Sequence, residues 1–232
     1  MKSAKRQNLI TYCFFLVIPA AGLLYGNSIK GDYSFLRVWE WSNILLLLIG
    51  IPLLFFQQEA RLPDFWQTGI SSKKRFYLPA LTGIGFGLLD ILVIKAIMHP
   101  EPYIDLPPFL QPFPYSLFLY FSGALEIEVF YRLIPLTIIL FIGSRYKEGK
   151  YYTVFFWAGA FLTALREPLE QLPSGNIGLV IYSLVTGIAM NLLQAIWYKR
   201  AGFLASLSLR LGHYLIWHIL LGIFVEYVEL AK

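Results

Sequence analysis

The placement of charge constrains this chain more than any other feature. Its ionisable residues gather in short patches, separated by apolar stretches of about 14 to 29 residues, the pattern of a chain that crosses a bilayer repeatedly. Seven stretches stand out, at about 9–25, 40–56, 77–98, 115–143, 152–165, 177–198 and 203–228. In hydrocarbon each backbone amide needs a partner within its own segment, so these stretches predict helices. Runs such as ILLLLIGIPLLFF do not alternate as barrel strands do. The expected fold class is therefore all-α: a polytopic helical membrane protein of about seven transmembrane helices, residues 1–232 forming one domain. Of the 232 residues 57% are hydrophobic and only 14% are charged, against roughly 25% charged in a soluble domain. That balance excludes a soluble globular enzyme, a disordered chain and a nucleic-acid module. A single cysteine, Cys13, excludes an internal disulfide and a cysteine-based zinc site.

Two stretches have awkward lengths. Residues 115–143 would form a helix of ~43 Å at ~1.5 Å per residue, which predicts a tilt or a kink at Pro135. Residues 152–165 span only ~21 Å and could be re-entrant. Basic residues favour seven crossings with the N-terminus cytoplasmic and the C-terminus outside. Lys2, Lys5, Arg6, Arg61, Lys73, Lys74, Arg75, Arg145, Lys147, Lys150, Lys199 and Arg200 then lie inside. Only Lys30, Arg37, Arg166 and Lys232 lie outside. The expected location is the cell membrane, with membrane lipid as a partner. The first apolar run follows basic residues as a secretory signal would, but it ends in GLLYGNS with no small-x-small cleavage site, which predicts a retained helix. The loop at 99–114 holds six prolines and should be extended and stiff.

Ionisable residues within the stretches mark the candidate site, because a charge at mid-bilayer costs ~2.5–3.5 kcal/mol or more. They are Asp90 and Lys95 in the third stretch, Glu126, Glu128 and Arg132 in the fourth, and Arg210, His213 and His218 in the seventh. Glu128 and Arg132 are four apart and share a helical face, whereas Glu126 points nearly the opposite way. Arg210, Tyr214 and His218 form an i, i+4, i+8 row, with His213 on the adjoining strip. One site walled by the fourth and seventh stretches is expected, with Asp90 as a third wall. Structural alternatives stand beside this. Glu128 and Arg132 would also serve as a neutralising pair, and Asp90 and Lys95 as structural partners. Arg166 and Glu167 would mark a solvated helix end, and the histidines would hydrogen-bond between helices.

At EIEVFYRLIP the chain resembles the CPBP intramembrane proteases, the CAAX proteases and bacteriocin-processing enzymes also called the Abi family. That family carries a glutamate pair followed by three residues and an arginine, then Phe-x-x-x-His, then His-x-x-x-Asn after a glycine-rich turn. Anchored on Tyr131 and Arg132, the second glutamate falls on Glu128 and the first on Ile127, with Glu126 displaced by one. In the second motif Phe161 is followed by Leu165 where the family has histidine. In the third, His213 leads to Trp217 instead of asparagine, and Tyr214 with His218 offers another register. The likeness covers roughly residues 60–225. It implies an intramembrane glutamic endopeptidase without cofactor or metal, acting on a membrane-anchored peptide, a membrane-anchored protein or a prenylated C-terminus. It also implies catalytic roles for Glu128 or Glu126, Arg132, His213 and His218, with Tyr131, Phe161 and Tyr214 near the substrate. Glu128 is favoured as the base because it shares the arginine's face. Leu165 and Trp217 equally suit a catalytically inactive member acting as a scaffold or binding protein. Asp90, Lys95 and the carboxylates of the fourth stretch would suit a small proton-coupled transporter.

Overall fold

The computed structural model describes residues 2–33 and 35–231, and of Lys2 the backbone alone; Lys232, assigned above to the outer side, lies outside them. Helix is the regular structure of the described residues, with no strand among them. The helical runs are α1 (Lys2–Ile29), α2 (Trp41–Leu54), α3 (Lys73–Met98), α4 (residues 115–145), α5 (Tyr152–Glu170), α6 (Ile177–Ala201) and α7 (Phe203–Glu229). Four of them, α1, α3, α6 and α7, are long and apolar enough to cross a membrane, and α2 is a shorter apolar helix. Length and composition thus establish four candidate crossings, fewer than the seven expected.

Local chemistry explains where the helices bend and stop. Pro52 has no N–H for the Leu48 carbonyl, and α2 is interrupted at Leu48 and Ile49. In α4 a π-helical turn, Val129–Leu133, precedes Pro135, and the helix continues from Ile134 to Arg145. Thus α4 carries a π-helical turn where a proline kink was expected. The same pairing recurs in α3, where the π turn Lys73–Tyr77 precedes Pro79. The fifth stretch does not stop at 165: α5 has 19 residues and runs through Arg166 and Glu167 to Glu170, with Pro168 in its last turn. At ~1.5 Å per residue that is ~28 Å, longer than the ~21 Å of the 14-residue stretch that suggested a re-entrant segment. Asn176 caps α6 by accepting from the Gly178 N–H at 2.6 Å. Gly202, at φ +84°, turns the chain from α6 into α7.

Glycines set the closest helix contacts. A Cβ on Gly83 would lie 1.9 Å from the Leu209 carbonyl oxygen, and one on Gly212 would lie 2.2 Å from that of Ala80. Gly83 and Gly87 form a G-x-x-x-G stripe through which the backbone of α3 touches that of α7. This stripe went unread in the sequence although the motif was present.

The helix ends sort into two groups. At one end Lys5 pairs with Glu59 at 3.3 Å, and the Tyr152 hydroxyl donates to the Ala60 carbonyl. There too, Lys199 lies over the Phe156 ring. This end gathers the start of α1, the end of α2, the start of α5 and the end of α6. At the other end the 99–114 loop is strapped down. The N–H groups of Tyr103 and Phe113 donate to Glu229 and Glu226 at the end of α7, and Tyr115 donates to the Arg37 carbonyl. Between the two ends, Ile10, Phe14, Leu81, Leu162, Ile181 and Val185 are exposed. An apolar exterior of that extent suits lipid contact.

Candidate functional site

A buried polar cluster joins four helices. The π turn of α4 presents Arg132, which is fully buried. Its Nη1 lies 3.1 Å from Glu167 Oε2 of α5, and the same oxygen accepts from Arg210 Nη2 of α7 at 2.6 Å. Both guanidinium groups also donate to two amide oxygens of α6, those of Asn191 and Gln194; Arg132 and Arg210 reach Gln194 Oε1 at 2.7 and 2.9 Å. Gln194 in turn donates to Glu128 Oε1. Two carboxylates and two guanidinium groups balance formally, which lets the cluster sit in a low-dielectric interior.

The structure thus redraws several expected pairings. Arg132 forms its ion pair with Glu167 and not with Glu128, although Glu128 and Arg132 share a face. Glu167 is buried in the core and is no solvated boundary, whereas its neighbour Arg166 is exposed and pairs with Glu170 at 2.8 Å. Asp90 and Lys95 are not partners among the described residues. Lys95 binds Glu229 at 3.1 Å and the Glu101 carbonyl, while Asp90 binds His213 and Tyr182.

Beside the cluster lies a cavity of about 360 Å³, walled by α3, α5, α6, α7 and the 99–114 loop. Glu167, Asn191 and Arg210 reach it from the cluster, and Asp90, His213 and His218 complete its polar wall. The tight α3–α7 approach at Gly87 sets Asp90 against His213, with Nε2 2.6 Å from Asp90 Oδ2. A carboxylate oxygen accepts, so the hydrogen between the two groups is carried by Nε2. The other ring nitrogen, Nδ1, is buried without a hydrogen-bond partner among the described residues. Tyr182 of α6 donates to Asp90 Oδ1 at 2.7 Å, fixing the carboxylate from its other side. His218 donates from Nδ1 to the Phe109 carbonyl at 2.8 Å and stacks on Tyr120 at 4.3 Å. The two imidazoles are 6.2 Å apart, edge to face.

The remaining expected site residues divide. Tyr214 lines the cavity with the histidines. Glu128, Glu126, Tyr131 and Phe161 are not among its lining residues. Glu128 is fully buried, with Oε2 unpartnered among the described residues. Glu126 is half-buried. Tyr131 donates to Glu170 at the α5 terminus, and Phe161 is exposed beside Trp157. Leu165, where the resembled family has histidine, is 41% exposed, and Glu167 two residues on turns inward instead. Sequence reasoning missed Asn191, Gln194 and Tyr182. The i, i+3 amide pair in an apolar helix was the available signal for the first two. No group of three or more His, Cys, Asp or Glu among the described residues is arranged to hold a metal ion.

No family model matches this chain, and no match was found among curated proteins or solved structures. The CPBP likeness rests on the motif residues alone.

Proposed function

We propose that this chain is a membrane-embedded peptide hydrolase of the CAAX-protease type, with water activated at the Asp90–His213 pair. It crosses the bilayer seven times, with the N-terminus cytoplasmic and the C-terminus outside. The seven-span reading is supported by the sorting of helix ends, since the ends that meet are those an up-and-down bundle brings together. The orientation is supported by Lys5, Arg61, Lys150 and Lys199 falling at one end.

One observation carries the catalytic reading: an imidazole oriented by a carboxylate 2.6 Å away, belonging to a residue that lines a polar cavity, with its other nitrogen buried and without a partner among the described residues. In this mechanism His213 Nδ1 takes a proton from water as the oxygen adds to the peptide carbonyl carbon. Asp90 stabilises the imidazolium that forms, as a triad carboxylate does. The Arg210 guanidinium supplies positive charge near the developing oxyanion. Nδ1 then returns the proton to the leaving amine as the C–N bond breaks, giving a carboxylic acid and an amine, which exchange a proton to leave as carboxylate and ammonium. Glu128 and Arg132 act through the cluster, holding Gln194 and Arg210 in place.

The test is cleavage of a membrane-anchored peptide by the reconstituted protein. Asp90→Asn and His213→Gln should each lower turnover by about 10²-fold or more, the usual worth of a general base. Glu128→Gln should act mainly on stability. Loss of turnover in a folded Glu128→Gln protein, with Asp90→Asn active, would return the base to Glu128. A non-catalytic binding member is the second reading, favoured by Glu128 lying off the cavity wall and Leu165 facing outward. Saturable peptide binding without any turnover by the wild type would select it.

A further inference from the structure

The cavity is asymmetric along the bundle. On α3 it is lined from the midpoint onward, by Phe86, Asp90 and Ile94, and on α5 by the last turn, from Glu167 to Gln171 just past its end. On α6 the lining begins at Ser183 and stops at Asn191. At ~1.5 Å per residue, Asn191 lies ~21 Å from the start of α6 and ~15 Å from its end, near mid-depth. On α3 and α5 the lining thus sits on the half leading to the 99–114 and 171–176 loops, while on α6 (Ser183–Asn191) and α7 (Arg210–His218) it straddles mid-depth. Exposure follows the same gradient, since Gln171 is exposed while Asn191 and Arg210 are buried. Beyond Asn191 the bundle is plugged. Gln57 donates to Thr137 at 3.0 Å and to Tyr198 at 2.9 Å, and all three side chains are buried. Glu128 and Gln194 close the space above them. The basic end lies on the far side of this plug.

We infer that the cavity is entered from the end of the bundle carrying the 99–114 and 171–176 loops, and takes an extended peptide segment of a membrane-anchored protein presented there. Under the orientation proposed above, this is the non-cytoplasmic face. Entry from the basic end would have to break the buried Gln57–Thr137–Tyr198 contacts and the charge-balanced cluster. Segments exposed outside the cytoplasm are then the substrate class, and prenylated C-termini on the cytoplasmic face are not. The side of entry stands on the geometry; the identity of the occupant rests on the hydrolase reading.

Thiol accessibility separates the two. Because Cys13 is the one cysteine, Cys13→Ala provides the background. Ser183→Cys and Thr186→Cys report the cavity, Val185→Cys the lipid-facing side of the same helix, and Asp105→Cys and Lys150→Cys the two ends. Each variant is treated in sealed membrane vesicles of either orientation with a membrane-impermeant maleimide. Positions 183 and 186 should be labelled from the side that labels 105, with Val185→Cys at least tenfold slower. Labelling of 183 and 186 from the side that labels 150, or from neither side while 105 labels, overturns the inference. A single-span reporter inserted in both orientations then tests the occupant. Cleavage should require the segment to face the side that labels 105. Cleavage from the opposite side overturns the substrate class, whereas no cleavage in either orientation, with labelling as expected, removes the hydrolase reading and leaves the entrance in place.

Discussion

Glu167→Gln should be among the most damaging single substitutions in this chain. The Glu167 carboxylate is the shared acceptor of Arg132 at 3.1 Å and Arg210 at 2.6 Å, and the three side chains are 6%, 0% and 3% exposed. The amide keeps the shape but removes the charge, leaving two buried guanidinium groups facing Glu128 alone. Removing one partner of a buried ion pair costs ~3–5 kcal/mol, because the stranded charge is not rehydrated. Against a typical total of ~5–15 kcal/mol, that is a third or more of the stability. The double variant Glu167→Gln/Arg210→Gln removes the excess charge as well. It should recover ~1–3 kcal/mol of the loss expected by adding the single effects. Reversible unfolding in mixed micelles, followed by tryptophan fluorescence, measures both. Arg166→Ala is the control on the same helix; its pair with Glu170 is about half exposed and should be worth under ~1 kcal/mol. A Glu167→Gln cost below ~1 kcal/mol, or a double variant equal to the sum of the singles, would refute the charge-balance argument.

Other expectations follow from single contacts. Gly83→Ala should destabilise by ~1–3 kcal/mol or more through collision with the Leu209 carbonyl, whereas Gly85→Ala, facing open space, should be neutral or mildly stabilising; thermal denaturation in detergent compares them. Tyr182→Phe removes the 2.7 Å bond to Asp90 and should cost ~1 kcal/mol in the same assay while slowing cleavage. Glu229→Ala deprives Lys95 and the Tyr103 N–H of their acceptor, so limited proteolysis should cut the 99–114 loop faster than in the wild type, with the helices intact.

The elements were more legible than the site. Long apolar stretches announce helices because backbone groups in lipid have no alternative. Glu167 was misplaced because the apolar run ends at Leu165, and hydropathy cannot tell a helix that stops from one that continues with one polar face inward. Asn191 and Gln194 carry no charge, so only their i, i+3 spacing on an apolar helix marked them, and that spacing alone does not name their partners. The Glu128–Arg132 spacing correctly put both on one face, yet the π turn between them re-aims Arg132 toward α5. Asp90 found its partner across the Gly83–Gly87 stripe instead of along its own helix, a choice set by backbone approach between helices.

The central claim is that His213 and His218 face a hydrated pocket within the membrane, with Asp90 holding His213 through Nε2. Water-edited solid-state NMR on imidazole-labelled protein in bilayers tests it most directly. The account predicts rapid magnetisation transfer from water to both rings, a protonated Nε2 and bare Nδ1 on His213, and no comparable transfer to fully buried Val129. Rings as dry as Val129, or a His213 protonated at Nδ1 alone, would contradict it.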